Sequence, residues 1–263
     1  MKPLDDAYAN APYIEGAEDY PPRWATAAAT LREALGDRAE LALPYGDSPR
    51  QVFDFFNTAG ASRGTIIFVH GGYWKAFDRS TWSHLAAGGL AAGWSVAMPG
   101  YDLCPDVRIS QITRQIARAV SRIADKTTGP IALTGHSAGG HLVSRMLDPA
   151  VLAADVSKRI SRVAPISPVA NLVPLLDTTM NEILQLDAVE AAAESATQMP
   201  PPQDADVKIW VGGAERPVFL DQADELASSW DVPQVVVPGK HHFDIIEALE
   251  SPDSDMVRFL TGQ

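Results

Sequence analysis

The stretch Ile131-Ala132-Leu133-Thr134-Gly135-His136-Ser137-Ala138-Gly139-Gly140 is the most informative segment of this chain. Its first four residues predict a short buried strand, and the residues that follow it, His141–Leu147, predict a helix. A serine between glycines at a strand-to-helix junction is typical of a nucleophile elbow, where a sharp turn needs small neighbours and exposes the hydroxyl. We therefore predict that Ser137 is a nucleophile. The weaker interpretation is a glycine-rich loop that only allows a helix to pack closely on a sheet.

A second glycine-containing motif, His70-Gly71-Gly72-Tyr73-Trp74, follows the predicted strand Thr65–Val69. Paired glycines allow backbone N–H groups to converge on one point, as an oxyanion hole requires. We expect the N–H groups of Gly72 and Tyr73 to join that of Ala138, at the positive end of the helix after the elbow. The side chains of Tyr73 and Trp74 would then contact the substrate, although burial in the core is the commoner fate of such residues.

A serine hydroxyl needs a base to accept its proton and a third group to orient that base. In enzymes with a nucleophile elbow, the chain order is nucleophile, acid, histidine. His141 follows Ser137 too closely in sequence to fold back over it, so we expect it to pack. His241 and His242 come after the last predicted strand, Gln234–Val237, and the base is expected at one of them.

The acid is expected in the loop after the seventh predicted strand, Val207–Val211. Glu215 is the first carboxylate beyond that strand, and Asp221 is the next one, on a predicted helix. Asp204 and Asp206 precede the strand and should lie at the opposite end of the sheet. Glu215 is therefore the predicted acid, and Asp221 is the alternative.

Short apolar runs alternate with longer amphipathic stretches along the chain. The predicted strands are Ala39–Leu43, Gln51–Phe56, Thr65–Val69, Ser95–Met98, Ile131–Thr134, Arg162–Ile166, Val207–Val211 and Gln234–Val237. Ile109–Ala124 is the clearest helix between them. This alternation predicts an α/β fold with a mostly parallel, eight-stranded sheet and helices on both faces. The tight turn at 46–49 predicts that the first two strands form an antiparallel hairpin at one edge.

We expect residues 1–263 to form a single domain. Residues 1–25 contain several prolines and aromatic residues, which suggests an irregular arm that packs on the body. Ala25–Leu35 is rich in alanine and ends at Gly36, which predicts a helix with a C-terminal stop.

The charge balance favours some partners over others. Lysine and arginine total 21 and aspartate and glutamate total 33, so the formal net charge is −12. An acidic chain without basic runs is a poor ligand for nucleic acid or for an anionic membrane. We expect a small-molecule partner, and a homodimer is compatible with the sequence.

The cysteine content and the N-terminal residues suggest in which cellular compartment the protein is found. Cys104 is the single cysteine, no Cys/His cluster has zinc spacing, and residues 1–6 lack a signal-peptide core. We therefore expect a cytoplasmic protein that uses neither a metal nor an organic cofactor, since the predicted chemistry needs only side chains and N–H groups.

Together the motifs resemble the kynurenine formamidase (arylformamidase) branch of the α/β-hydrolase superfamily, which is related to the hormone-sensitive-lipase-like esterases. The matching segments are His70-Gly71-Gly72-Tyr73-Trp74, Tyr101-Asp102-Leu103-Cys104-Pro105, Gly135-His136-Ser137-Ala138-Gly139-Gly140-His141 and His242-Phe243-Asp244-Ile245-Ile246-Glu247. They extend from about position 65 to about position 250, so the resemblance covers most of the chain.

The resemblance implies a role for each predicted catalytic residue. Ser137 resembles the nucleophile of the family, and His242, just before a phenylalanine, resembles the base. Glu215 lies where the family usually has aspartate, and both are carboxylates. The implied function is a serine hydrolase that cleaves formyl or short-chain aryl amides or esters through an acyl-enzyme. The alternatives are a thioesterase and a non-catalytic ligand-binding module with this fold.

Overall fold

A twisted central sheet runs through the computed structural model, which describes residues 2–263. Its strands are β1 (Ala39–Pro44), β2 (Val52–Phe56), β3 (Thr65–Val69), β4 (Ser95–Pro99), β5 (Ile131–His136), β6 (Ile160–Ile166), β7 (Asp206–Val207), β8 (Ile209–Gly212) and β9 (Gln234–Val237). They follow the predicted strands to within two residues, because each is a short apolar run bounded by turn residues.

The strand order is β1-β2-β4-β3-β5-β6-β8-β9, with β7 paired to β6. β2 runs antiparallel to both β1 and β4, and the remaining pairs are parallel. The mostly parallel sheet and its antiparallel edge hairpin are therefore confirmed. The predicted count of eight is wrong for residues 2–263, which contain nine strands. The seventh predicted strand is interrupted at Lys208, so that it pairs with β6 as two separate pieces.

The helices lie on both faces of the sheet, as predicted. They are α1 (Tyr20–Leu35), α2 (Ala87–Ala91), α3 (Ile109–Lys126), α4 (Ala138–Arg145), α5 (Ala154–Ser157), α6 (Asn181–Leu184), α7 (Ala188–Glu194), α8 (Pro217–Trp230) and α9 (Asp255–Thr261). Short 3₁₀ helices cover Ala11–Tyr13, Ala17–Asp19, Gly36–Arg38, Arg79–Ala86, Val173–Asp177, Ala196–Gln198 and Ile245–Glu250. In residues 2–263, no helix is both long enough and apolar enough to cross a membrane.

Successive side chains of each central strand enter different hydrophobic cores. Ile67 and Val69 of β3 pack in the core formed with α3, α4 and α8, whereas Ile66 and Phe68 pack in the core formed with α1 and α9. This follows from the two-residue period of a strand, which directs neighbouring side chains to opposite faces. Burial on both faces explains why the central strands are continuous apolar runs.

The N-terminal arm is shorter than predicted. α1 begins at Tyr20, although the prolines at 21 and 22 suggested irregular chain up to about residue 25. Both prolines lie in the first turn of the helix, where the N–H groups have no intrahelical acceptor and proline therefore loses nothing.

The turn between β5 and α4 brings the helix very close to the neighbouring strand β3. α4 begins at Ala138, three residues before the predicted helix, because packing against the sheet overrides the poor helix propensity of Gly139 and Gly140. A Cβ atom on Gly139 would lie 1.9 Å from the carbonyl oxygen of Val69 in β3. Only glycine allows α4 to approach β3 this closely.

We predict that Gly139→Ala destabilises the protein by roughly 3 kcal/mol or more, because the added methyl group meets a backbone carbonyl that cannot rotate away. Urea unfolding followed by circular dichroism would measure the change. Gly46→Ala is the matched control. Its Cβ would meet the end of the Gln51 side chain at 1.8 Å, and that side chain can move. Equal stability of the two variants would contradict the close-packing argument.

Candidate active site

Ser137 lies at the C-terminal end of β5, in the middle of the sheet. Its φ of 57° falls in the left-handed region, which is rare for a residue with a side chain. The backbone N–H of Ser137 donates to the carbonyl oxygen of Ile166 at 2.8 Å, so the strained residue is tied to β6. This geometry matches the elbow that the sequence predicted, and Ser137 lines a cavity above the sheet edge.

Glu215 and His242 lie next to each other on the loops after β8 and β9. The Nδ1 atom of His242 is 2.6 Å from Oε2 of Glu215, and both residues are buried. His242 lines the same cavity as Ser137. The structure therefore brings all three predicted catalytic residues to one end of the sheet, with the carboxylate behind the imidazole.

Two further groups fix the carboxylate of Glu215. Its Oε1 atom accepts a hydrogen bond from the hydroxyl of Ser167 at 2.5 Å and one from the N–H of Gly212 at 2.8 Å. Ser167 is completely buried and has a φ of 46°. Sequence reasoning missed Ser167. Its position directly after β6, at the same edge as Ser137, was the signal that could have revealed it.

Burial of the Glu215 carboxyl raises its pKa, and this is the largest single effect. The His242 ring and the hydrogen bonds from Ser167 and Gly212 together more than offset it, so the pKa of Glu215 lies below its ordinary value. The carboxylate is thus ionised at neutral pH. A buried anion in contact with Nδ1 favours the tautomer that carries a proton there, and leaves Nε2 of His242 as the basic nitrogen.

The alternative residues lie elsewhere. His241 is half-buried, and its Nε2 atom is 3.0 Å from the hydroxyl of Tyr20. His141 is buried in α4 with Nε2 2.8 Å from the carbonyl oxygen of Glu194, so it packs as expected. Asp221 is exposed on α8. The geometry therefore favours His242 and Glu215 over these alternatives.

The loop after β3 adopts an unusual backbone conformation beside Ser137. Gly72, Tyr73 and Trp74 all have positive φ, at 106°, 49° and 55°. In the part of the chain that the structure describes, the N–H groups of Gly72 and Tyr73 have no hydrogen-bond acceptor. Ala138 is the first residue of α4, so its N–H has no intrahelical acceptor either. These three N–H groups are therefore available to a ligand.

Tyr101 contacts His70, the first residue of the loop after β3. Its hydroxyl donates to the carbonyl oxygen of His70 at 2.9 Å, and its ring stacks on the His70 ring with centroids 4.3 Å apart. Burial lowers the pKa of His70 to about 4, so its imidazole is neutral at physiological pH. The stacked pair of His70 and Tyr101 therefore adds no charge to the site beside that of Glu215.

The two aromatic residues predicted to contact substrate lie in different environments. Tyr73 lines the cavity, and its hydroxyl donates to the carbonyl oxygen of Tyr8 at 2.7 Å. Trp74 is completely buried and packs edge-on against His141, with ring centroids 5.1 Å apart. The structure contradicts a substrate contact for Trp74, because its large indole fills the core between the loop and α4.

Other aromatic residues form the wall of the cavity, which has a volume of about 310 Å³. Trp24 of α1 packs on Trp82 at 4.7 Å and on Phe243 at 5.5 Å between ring centroids, and Phe77 completes the cluster. Residues 8–12 of the N-terminal arm line the cavity as well. Sequence reasoning missed these residues because they come from distant segments. Only Phe243, next to the predicted base, carried a local signal.

The chain is similar in sequence to known proteins. A family model described as the alpha/beta hydrolase fold matches residues 66–240. Kynurenine formamidase of Drosophila melanogaster is 30% identical to this chain over 238 residues, which cover 83% of this chain and 79% of that protein. Kynurenine formamidase of Salmo salar is 26% identical over 237 residues, or 84% of this chain and 80% of that protein.

Two solved structures are also similar to this chain. A protein of Silicibacter sp. TM1040, provisionally described as a thioesterase, superposes with a TM-score of 0.98 at 57% identity and covers 99% of this chain and 100% of its own. Esterase B of Lactobacillus rhamnosis superposes with a TM-score of 0.66 at 21% identity, covers 93% and 94% of the two chains, and shares the fold.

We predict that Glu215→Gln lowers the free energy of unfolding near pH 7 and that the difference from wild type shrinks in acid. A carboxyl whose folded pKa is depressed stabilises the fold above its unfolded pKa of about 4.3, and this contribution is lost as the pH falls through the folded value. Urea unfolding at several pH values from about 7 to about 2 would measure this. Asp221→Asn, at an exposed position on α8, is the matched control for the loss of one carboxylate. A difference that is constant with pH would contradict the ionised, paired state of Glu215.

Proposed function

Because this chain belongs to the family of proteins with the α/β-hydrolase fold and is a hydrolase, we propose that Ser137, His242 and Glu215 form its catalytic triad. The proposed reaction is removal of a formyl or short acyl group from an aryl amide or aryl ester. The observation that carries the proposal is the 2.6 Å contact between Glu215 and His242, beside a strained serine in the same cavity.

In the first half of the reaction, Nε2 of His242 accepts the proton of the Ser137 hydroxyl as Oγ attacks the acyl carbon. The resulting tetrahedral intermediate carries a negative charge on the former carbonyl oxygen. When it collapses, the bond from the acyl carbon to the leaving amine or phenol breaks. The imidazolium of His242 gives its proton to the leaving atom, and the acyl group remains as an ester on Ser137.

In the second half, a water molecule replaces the leaving group. His242 accepts a proton from this water as its oxygen attacks the acyl carbon, and a second tetrahedral intermediate forms. The bond to Oγ of Ser137 then breaks, His242 returns the proton to Oγ, and the carboxylic acid leaves. The enzyme is regenerated without any cofactor.

Fixed groups stabilise the charges that develop during both halves. The N–H groups of Gly72, Tyr73 and Ala138 would donate to the oxyanion, as groups that the fold has already oriented. Glu215 would stabilise the imidazolium, and its bonds from Ser167 and Gly212 hold it in place. Donors that are already in position need no reorganisation during the reaction, which is why such sites accelerate acyl transfer.

The shape and lining of the cavity support a small aryl substrate. Trp24, Trp82 and Phe243 present aromatic surface on which an aryl leaving group could stack. A cavity of about 310 Å³ suits a small molecule better than a long acyl chain. The relatives from Drosophila melanogaster and Salmo salar are named kynurenine formamidases, which agrees with an aryl formamide.

A thioesterase is the second candidate, since the similar Silicibacter protein is provisionally described as one. Lys75 is the one lysine or arginine among the described residues that line the cavity, whereas a CoA leaving group carries several phosphates. A non-catalytic binding module is disfavoured because such a module has no need of a buried carboxylate held against a histidine.

We predict that a fluorophosphonate probe labels Ser137 and no other serine. Ser137→Ala should abolish labelling and lower kcat for p-nitrophenyl acetate by at least about 10³-fold, because the nucleophile is lost. His242→Ala should slow labelling strongly and His241→Ala should not, since only His242 contacts Glu215. Ser229→Ala, on the exposed side of α8, is the control. Label recovered at another serine would refute the assignment.

We predict that kcat/KM for p-nitrophenyl esters falls steeply once the acyl chain exceeds roughly two to four carbons, and that N-formylkynurenine is hydrolysed. The panel would compare acetate, butyrate and octanoate esters with N-formylkynurenine, and Ser137→Ala would supply the background rate. Fastest turnover of octanoate, with N-formylkynurenine left intact, would refute the formamidase activity and leave the serine mechanism standing.

A further inference from the structure

A second histidine lies in the active-site cavity and has no part in the proposed mechanism. His136, the last residue of β5, lines the cavity and is 5% exposed. Its Nε2 atom is buried and has no hydrogen-bond partner among residues 2–263. Burying a polar nitrogen without a partner costs free energy, so stability alone does not account for an imidazole at this position.

His136 contacts two parts of the site. Its ring packs against the ring of His242, with centroids 4.5 Å apart and planes inclined by 45°. The loop after β3 also approaches it closely, since a Cβ atom on Gly71 would lie 3.3 Å from Nδ1 of His136 and 2.7 Å from its carbonyl oxygen. Imidazole is the smallest aromatic side chain, and it therefore suits a place so confined.

A second ring contacts His242 from another element. Phe219 of α8 is completely buried, and its ring centroid is 4.2 Å from that of His242, with planes inclined by 41°. The contact with Glu215 fixes the Nδ1 atom of His242, but one fixed atom does not set the plane of the ring. The last side-chain torsion of a histidine is also broad, so rotamer preference does not set it either. The direction in which Nε2 points therefore depends on the two ring contacts.

His136 stays uncharged while His242 changes its charge. Burial lowers the pKa of His136 well below its ordinary value, and the neighbouring His242 lowers it further. The other charged groups that border this place are Glu215, which contacts Nδ1 of His242, and Lys75, which lines the cavity. A neutral aromatic ring is compatible with an adjoining imidazolium, whereas a second cation would repel it.

We propose that His136 is a positioning residue for the base, because its ring sets the plane of the His242 imidazole so that Nε2 faces the hydroxyl of Ser137. This inference rests on the proposed function, since it concerns the base of the same triad. In this role His136 transfers no proton and binds no part of the substrate. Its effect on the rate therefore passes entirely through His242.

His136→Ala should lower kcat/KM for p-nitrophenyl acetate and the rate of labelling by a fluorophosphonate by roughly 10- to 100-fold, because misplacing a catalytic group by about 1 Å has an effect of this size. His136→Asn, which also lacks a ring, should behave in the same way and serves if the alanine variant does not fold. His136→Phe, which keeps an uncharged ring, should recover most of the lost rate.

His84→Ala is the matched control. His84 is also a buried histidine, and its Nδ1 atom has no partner in the part of the chain that the structure describes, but it lines a different cavity. The loss of an imidazole at this position should leave both rates unchanged.

The pH profile separates positioning from a general loss of structure. Removing the ring in His136→Ala admits water beside His242, and water favours the charged form of an imidazole. The acidic limb of kcat/KM should therefore move to higher pH in His136→Ala and keep its wild-type position in His136→Phe. A variant that is merely unstable would lower the amount of active enzyme, which titration of Ser137 with the fluorophosphonate measures, and would not move the limb.

A double-mutant cycle tests whether His136 acts through His242. In the background of His242→Ala, the further change His136→Ala should leave the residual rate of hydrolysis unchanged within about twofold. A loss as large as that in the wild-type background would show that His136 acts directly on the substrate or the oxyanion, and would overturn the inference.

The remaining outcomes also decide the question. If a folded His136→Ala keeps the wild-type rates, or if a folded His136→Phe is as slow as His136→Ala, the inference is wrong while the proposed hydrolase activity stands. If His242→Ala alone keeps the wild-type rate, the proposed triad fails and the inference fails with it.

Discussion

The close approach of α4 to β3 is the constraint on which the rest of this structure depends. Gly139 lies against the carbonyl oxygen of Val69, and Gly135 lies against the carbonyl oxygen of Gly139. A side chain at either position would push the helix away from the sheet. With α4 in place, Ser137 must turn sharply into a strained conformation, and the first residue of the helix, Ala138, follows it where Gly71 of the loop after β3 packs against Ser137. The positions of the proposed nucleophile and of the proposed oxyanion hole therefore depend on the same packing contact.

The same edge of the sheet supports a buried charge, which a hydrophobic core normally excludes. Glu215 is tolerated because its two oxygens are fully used, one by His242 and the other by Ser167 and Gly212. Each of these groups comes from a different strand end. The carboxylate thus links β6, β8 and the loop after β9. Because β6 and β8 hold the carboxylate in place, the imidazole bonded to it is also held in a fixed position. The glutamate side chain reaches all three partners from the loop after β8.

The N-terminal arm forms part of the wall of the cavity at this edge of the sheet. Residues 8–12 line the cavity, and the arm is held by Tyr8, by the ion pair between Asp6 and Arg216 and by the Tyr13 ring against the Arg216 guanidinium. α1 contributes Trp24 to the opposite wall. These segments precede residues 66–240, to which the family model applies. Ser137, Glu215 and the loop after β3 lie within the matched residues, whereas His242 lies two residues beyond them, and much of the cavity wall comes from segments that precede them.

The sequence by itself determined the features that depend on local chemistry. The sharp turn at Ser137 and the mostly parallel sheet could be predicted, because glycine placement and strand periodicity are local properties. The structure supported Glu215 over Asp221 and His242 over His241 through contacts that neighbouring residues could not reveal. Tertiary structure alone decided that Trp74 belongs to the core, that Trp24, Trp82 and Phe243 form the cavity wall, and that Ser167 donates a hydrogen bond to Glu215. These outcomes depend on contacts between segments that are far apart in the sequence. The residues next to each position in the sequence do not specify those contacts.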